Sequence, residues 1–196
     1  MNVYEHRDPS QFRPRTHPWV DAESDADFRY IDFRAHPEQI RTELEDWHAW
    51  RPYPATQTFF QLLEWLNGAD STLESNDCAF TGPARNSNPA SDRPMECTGR
   101  VMVLFRDLRQ NTDPQQVRTL FQNVGIGLSE QDTTFEDGAI GMTLVPVWFT
   151  TLQGSVSEQQ GQQLMLSFWA WGDDPVDVMA NLDRTLGNLR AVLESL

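Results

Sequence analysis

The sequence contains no lysine; all 15 of its positive charges are arginine. That absence removes whole mechanisms: a phosphate-loop lysine, a Schiff-base lysine and a serine–lysine dyad are excluded. Cysteine is scarce as well, limited to Cys78 and Cys97. Two residues so far apart build neither a disulfide framework nor a Cys-x-x-Cys site. Reduced thiols in a cytosol are the expectation. No window approaches about 18 consecutive apolar residues, so no membrane-spanning helix is expected. The opening residues, MNVYEHRDPSQFRPR, have no apolar centre and do not read as a secretory signal. Neither Gly-x-Ser-x-Gly nor His-Glu-x-x-His occurs.

What is abundant is negative charge and aromatic surface. The net charge is −14 and the pI about 4.5. A chain this acidic repels phosphate backbones and anionic membranes, which disfavours both as partners. It favours a basic protein, because opposite fields steer association. Seven tryptophans and eleven phenylalanines supply packing area enough for a folded core. One domain over residues 1–196 is expected.

Residues 1–26 are polar and interrupted by Pro9, Pro14 and Pro18, which predicts an irregular arm ending in the acidic run 21–27. Phe28 to Phe33 is β-prone and reads as a strand. Pro37 opens a predicted helix over 37–48 with Ile40, Leu44 and Trp47 on its apolar stripe, closed by Pro52 and Pro54. Thr58 caps the next, where Phe59, Leu62, Leu63 and Leu66 share one face. Residues 69–98 show no sustained period and are rich in Asn, Ser, Pro and Asp, which predicts a long polar loop.

The second half is more regular. Val101–Phe105 reads as a strand covered on both faces. Asp113-Pro114 then starts a helix striped by Val117, Leu120, Phe121 and Val124 and ended by Gly125 and Gly127. Residues 139–149 alternate with a change of parity at Pro146, the signature of a bulge or of a strand near a sheet edge. Leu164–Trp171 is a further strand, and Asp174-Pro175 starts the closing helix. The order βαββα over 100–196 is that of a ferredoxin-like core lacking its last strand. The expected fold is therefore α+β, with a mainly antiparallel four-stranded sheet and added N-terminal strand and helices. The strand near Tyr30 would fill the gap, and the N-terminal helices would cover part of the sheet's second face. Whether Trp169 and Trp171 on that face are core or interface is open.

Chemistry-bearing groups are sparse. Glu45 and His48 share a helical face, but a di-iron site needs a second copy and further glutamates. Of Asp173, Asp174 and Asp177, which could be drawn as a metal site, two are accounted for as a helix cap and a first-turn acid. The run Glu130 to Asp137 lacks the oxygen spacing of a calcium loop. No catalytic residue, metal ligand or cofactor is assigned. The expected function is a cytoplasmic acidic protein-binding module: an inhibitor of the bacterial immunity-protein type that occludes a toxic partner's active site. Glu130, Asp132, Glu136 and Asp137, with Glu74 and Asp77, are the candidate contact residues. One alternative is a small enzyme of unfamiliar design, using Glu74, Asp77 and Cys78 with a histidine such as His36 or His48. Another is a structural or adaptor subunit that buries its aromatics in an oligomer.

Overall fold

A computed structural model of the chain describes residues 1–6, 15–17, 31–149 and 159–196. Two short strands open it, β1 (Asn2–His6) and β2 (Arg15–His17). Two short 3-10 helices follow, Pro37–Arg41 and Glu45–Trp50, then α1 (Pro54–Asn67). Next come β3 (Leu73–Arg85), β4 (Met95–Phe105), a 3-10 turn (Leu108–Thr112) and α2 (Pro114–Glu130). β5 (Gly138–Phe149), β6 (Gln159–Gly172) and α3 (Pro175–Glu194) complete the order.

The fold class is α+β, but the sheet is mixed and five strands across rather than four-stranded and antiparallel. Its order is β1-β5-β6-β4-β3, with β2 pairing β5 beyond β1. β6 lies between β4 and β5, antiparallel to both. The place beside β4 goes to β3, within the stretch expected to be a loop. The parallel fifth row comes from β1 and β2, within the stretch expected to be irregular. The expected strand at 28–33 is not what carries it. Residues 28–30 lie outside the described residues, and Asp32 begins a turn, its carboxylate accepting from the backbone N–H of Arg34 and Ala35.

Local chemistry explains the other departures. Pro54 begins α1 rather than ending its predecessor, because the first helical position needs no N–H. Thr58 does not cap; its hydroxyl donates to Asp183 on α3 at 2.6 Å. Helix α2 runs through Gly125 and Gly127 to Glu130. Asp113 and Asp174 cap α2 and α3 as their Asp-Pro pairs predict, each accepting from first-turn N–H groups.

The helices share one face of the sheet. Phe59 of α1, Val124 of α2 and Leu182 of α3 belong to one core with Val101, Leu166 and Phe168. Trp47 stacks between Phe59 at 4.2 Å and Phe80 at 3.9 Å, which pins the 3-10 segment to the same face. The N-terminal helices therefore do not cover the second face. A small cluster of Met102, Val145 and Met165 lies there instead, with Val147 and Phe149 packed under Leu108. Trp169 is half-buried on this face and lies against Gly141, where a Cβ would come within 2.8 Å of the indole. Trp171 is buried.

Candidate functional site

β3 carries more buried polar groups than an edge strand ordinarily holds. Glu74 and Asn76 are both buried, as are His17 and Gln163. The β3–β4 register slips between Ser75 and Asp77, so Asn76 has no partner residue in the ladder. Its side chain enters a polar chain on the sheet face opposite α1, α2 and α3. The Asn76 amide donates to Gln163 Oε1 at 2.8 Å, and Asn76 Oδ1 stands 2.8 Å from His17 Nδ1. Gln163 Nε2 donates to the Met102 sulfur. That sulfur only accepts, so it fixes both amide orientations and places a proton on His17 Nδ1. The other ring nitrogen lies 3.5 Å from Glu74 Oε1, and Arg34 donates to Glu74 Oε2 at 2.8 Å.

These contacts fix the shape of the sheet. His17 sits on the row outside β5, at one edge; Asn76 and Glu74 sit on β3, at the other. Edges four strands apart in a flat sheet would be separated by about 19 Å. The sheet is therefore curled until its edges meet through side chains, and the polar chain closes the curl. Gln163 is drawn in from β6 and Arg34 from the turn at 32–35. Part of the β3 edge is closed as well. The Leu73 N–H donates to Ser71 Oγ and the Ser75 N–H to Asn67 Oδ1, which leaves those positions unavailable to another strand.

The six acidic residues singled out from the sequence do not form one surface. Glu74 is held in the buried chain. Asp77 pairs with Arg100 at 3.1 Å on the face opposite α1, α2 and α3. Asp132, in a left-handed conformation, takes both Arg184 donors and the Asn188 amide. The Arg184 hydrogen bonds hold its carboxyl below the usual range. Asp137 accepts a bidentate pair from Arg93, which also reaches Asp173. Glu130 and Glu136 alone among the six are exposed with no side-chain partner among the described residues.

Cys78 pairs with Val101 in the ladder and packs against the helix-side core. Burial pushes its thiol up to about 12, and the fields of Asp77 and Asp46 add to the effect against that of Arg100. Thiolate is therefore scarce at neutral pH. The two histidines proposed as its partner are engaged elsewhere: His36 faces Glu38 at 3.5 Å, and His48 the Thr42 carbonyl at 3.1 Å. The histidine that does reach this strand is His17, which nothing in its local sequence marked; only the pairing of β2 with β5 carries it there. Among the described residues no group of three or more His, Cys, Asp or Glu is placed to hold a metal ion. Among the same residues no helix is long and apolar enough to cross a membrane.

Arginine placement is the clearest electrostatic feature. Of the eleven arginines whose side chains are described, seven pair with carboxylates: Arg34, Arg41, Arg93, Arg100, Arg109, Arg184 and Arg190. Arg51 and Arg106 donate to backbone carbonyls. Arg85 and Arg118 remain. Glu43, Glu45, Asp46, Asp70, Asp92, Glu130 and Glu136 are exposed and hold no cation among the described residues. Against protein-family models, curated proteins and solved structures, the chain gives no match.

Proposed function

We propose that this protein is an acidic binding module that captures a basic protein partner and occludes its active site, as an immunity-type inhibitor does. One observation carries the reading: nine of the eleven described arginines are engaged within the chain, while seven exposed carboxylates are not. Among the described residues the surplus of negative charge thus faces outward rather than being neutralised locally. Such a field steers a cationic surface and penalises anionic ones. Five of the seven fall in two groups, at 43–46 and at 130–136, and each group is a candidate contact.

The test is to isolate bound protein from the source cells, purify it, and titrate its activity with the chain. The expected results are stoichiometric inhibition and a Kd that weakens about tenfold or more between 50 and 300 mM salt. Glu43→Arg/Glu45→Arg/Asp46→Arg and Glu130→Arg/Glu136→Arg then locate the contact. Binding unmoved by salt and by both sets of reversals would remove the electrostatic reading.

A further inference from the structure

Asn67-Gly68 is the one Asn-Gly pair in the sequence. Such a pair carries a reaction within itself: the glycine backbone nitrogen can attack the carboxamide carbon Cγ, and no side chain on the glycine hinders the approach. Here both reactants are held. The Gly68 N–H donates to the Trp65 carbonyl at 3.0 Å. Asn67 is 8% exposed, and its Nδ2 donates to the Leu63 carbonyl and to Ser75 Oγ, each at 2.8 Å. Its Oδ1 accepts from the Ser75 N–H at 3.3 Å. Arg106 clamps the same helix end by donating to the Leu66 and Gly68 carbonyls. The glycine is required there, because a Cβ would stand 2.9 Å from the Glu64 carbonyl oxygen.

We propose that Asn67 is a modification site open only in chains whose α1–β3 junction has come apart, and that the change, completed by water, bars the junction from closing again. Once the junction is open, Gly68 N gives up its proton and bonds to Asn67 Cγ. The Cγ–Nδ2 bond breaks, and the side-chain nitrogen leaves with that proton as ammonia. The product is a five-membered imide. Water adds to one of its two carbonyls and breaks that carbon's bond to nitrogen. Opening at Cγ leaves an aspartate at position 67. Opening at the backbone carbonyl leaves an isoaspartyl link, with the main chain rerouted through the side chain. Neither product restores the junction. The carboxylate has no N–H to give the Leu63 carbonyl, and its charge falls on a buried position. The isoaspartyl link lengthens the chain where Trp65 and Arg106 fix the helix end. Ser75 lies between Glu74 and the irregularity at Asn76, so a junction left open also loosens the start of β3. An intact Asn67 therefore marks a molecule that has stayed closed.

The test incubates the full chain at neutral pH, in buffer and in urea above its unfolding midpoint, beside the peptide acetyl-Leu-Asn-Gly-Ala-amide. Mass spectrometry of digests reads the exchange of NH₂ for OH at residue 67. In urea the chain is expected to react as fast as the peptide, and in buffer about a hundredfold or more slower. Chains modified in urea and then returned to buffer are expected to refold poorly or to unfold at lower urea than unmodified chains, and so is Asn67→Asp. A folded chain that reacts with less than that slowing overturns the proposal, as does an unfolded chain that does not react. Modified chains, or Asn67→Asp, with the unmodified midpoint overturn it as well, because the product would then close the junction.

Discussion

Gly127 and Gly187 offer one substitution in two surroundings. Both lie inside helices, α2 and α3, where alanine is favoured over glycine by about 1 kcal/mol. A Cβ at Gly187 meets nothing within 4 Å. At Gly127 it would stand 2.8 Å from Cγ1 and 3.4 Å from Cγ2 of Val192 on α3. Carbon atoms pack at about 3.5–4.0 Å, so the first approach is too close by most of an ångström. Val192 is 1% exposed, and its branched side chain has one favoured rotamer in a helix. It cannot swing aside, so α2 and α3 must part, at an overpacking cost of about 1–3 kcal/mol. Gly187→Ala is therefore expected to stabilise by about 0.5–1 kcal/mol. Gly127→Ala is expected to destabilise by up to about 2 kcal/mol after its propensity gain. Urea unfolding followed by tryptophan fluorescence measures both as midpoint shifts at constant slope. Removing both offending methyls should relieve the clash, so Gly127→Ala/Val192→Ala is expected to couple favourably by about 1 kcal/mol. If Gly127→Ala raises the midpoint as far as Gly187→Ala does, the close crossing of α2 and α3 is wrong.

Three further outcomes are expected. Glu74→Gln weakens the contacts with Arg34 and His17 and should cost about 2 kcal/mol in chemical denaturation; a cost within error of zero would mean that the buried chain does not hold the sheet edges. With its thiol near 12, Cys78 is thiolate in only about one molecule in ten thousand at pH 8. Labelling at Cys78 by iodoacetamide, located by peptide mass mapping, should then follow unfolding, and rapid labelling at Cys78 in the native chain would refute the raised value. Asp132 is held below its ordinary value, so its contribution to stability is present above about pH 4 and is lost as pH falls through the depressed folded-state value. Arg184→Gln should move the Asp132 titration upward in carboxyl NMR, and an unmoved curve would remove Arg184 as the cause.

The second half was legible because its signals are local. Asp113-Pro114 and Asp174-Pro175 fix two helix starts through side chains that bond N–H groups two and three residues away. The alternation of Leu164–Trp171 needs only a covered sheet to be satisfied. β3 was not legible, because its polar residues are paid for by segments far along the chain. Glu74 needs Arg34 and His17, Asn76 needs Gln163, and Asp77 needs Arg100. Read without those partners, the same residues describe a loop. Gly125 and Gly127 misled for a related reason: as stop signals they act locally, but here they admit neighbours, Met142 near one and Val192 against the other. The acidic residues were visible as charge, while their arginine partners were not. Sequence therefore overstated how much of the 130–137 segment is free to meet a partner.

The pairing of β1 with β5 has a consequence in time. Asn2 lies opposite Ala139, so the first strand waits for about 140 residues to be made before its neighbour exists, roughly 7–30 s at ordinary translation rates. The β3–β4 hairpin, by contrast, closes within its own stretch. During synthesis the β3 edge of the sheet is laid down early and the β1 edge late. The join between those edges, through His17, Asn76 and Glu74, belongs to the last stage of assembly, and a newborn chain spends its longest interval with that curl open.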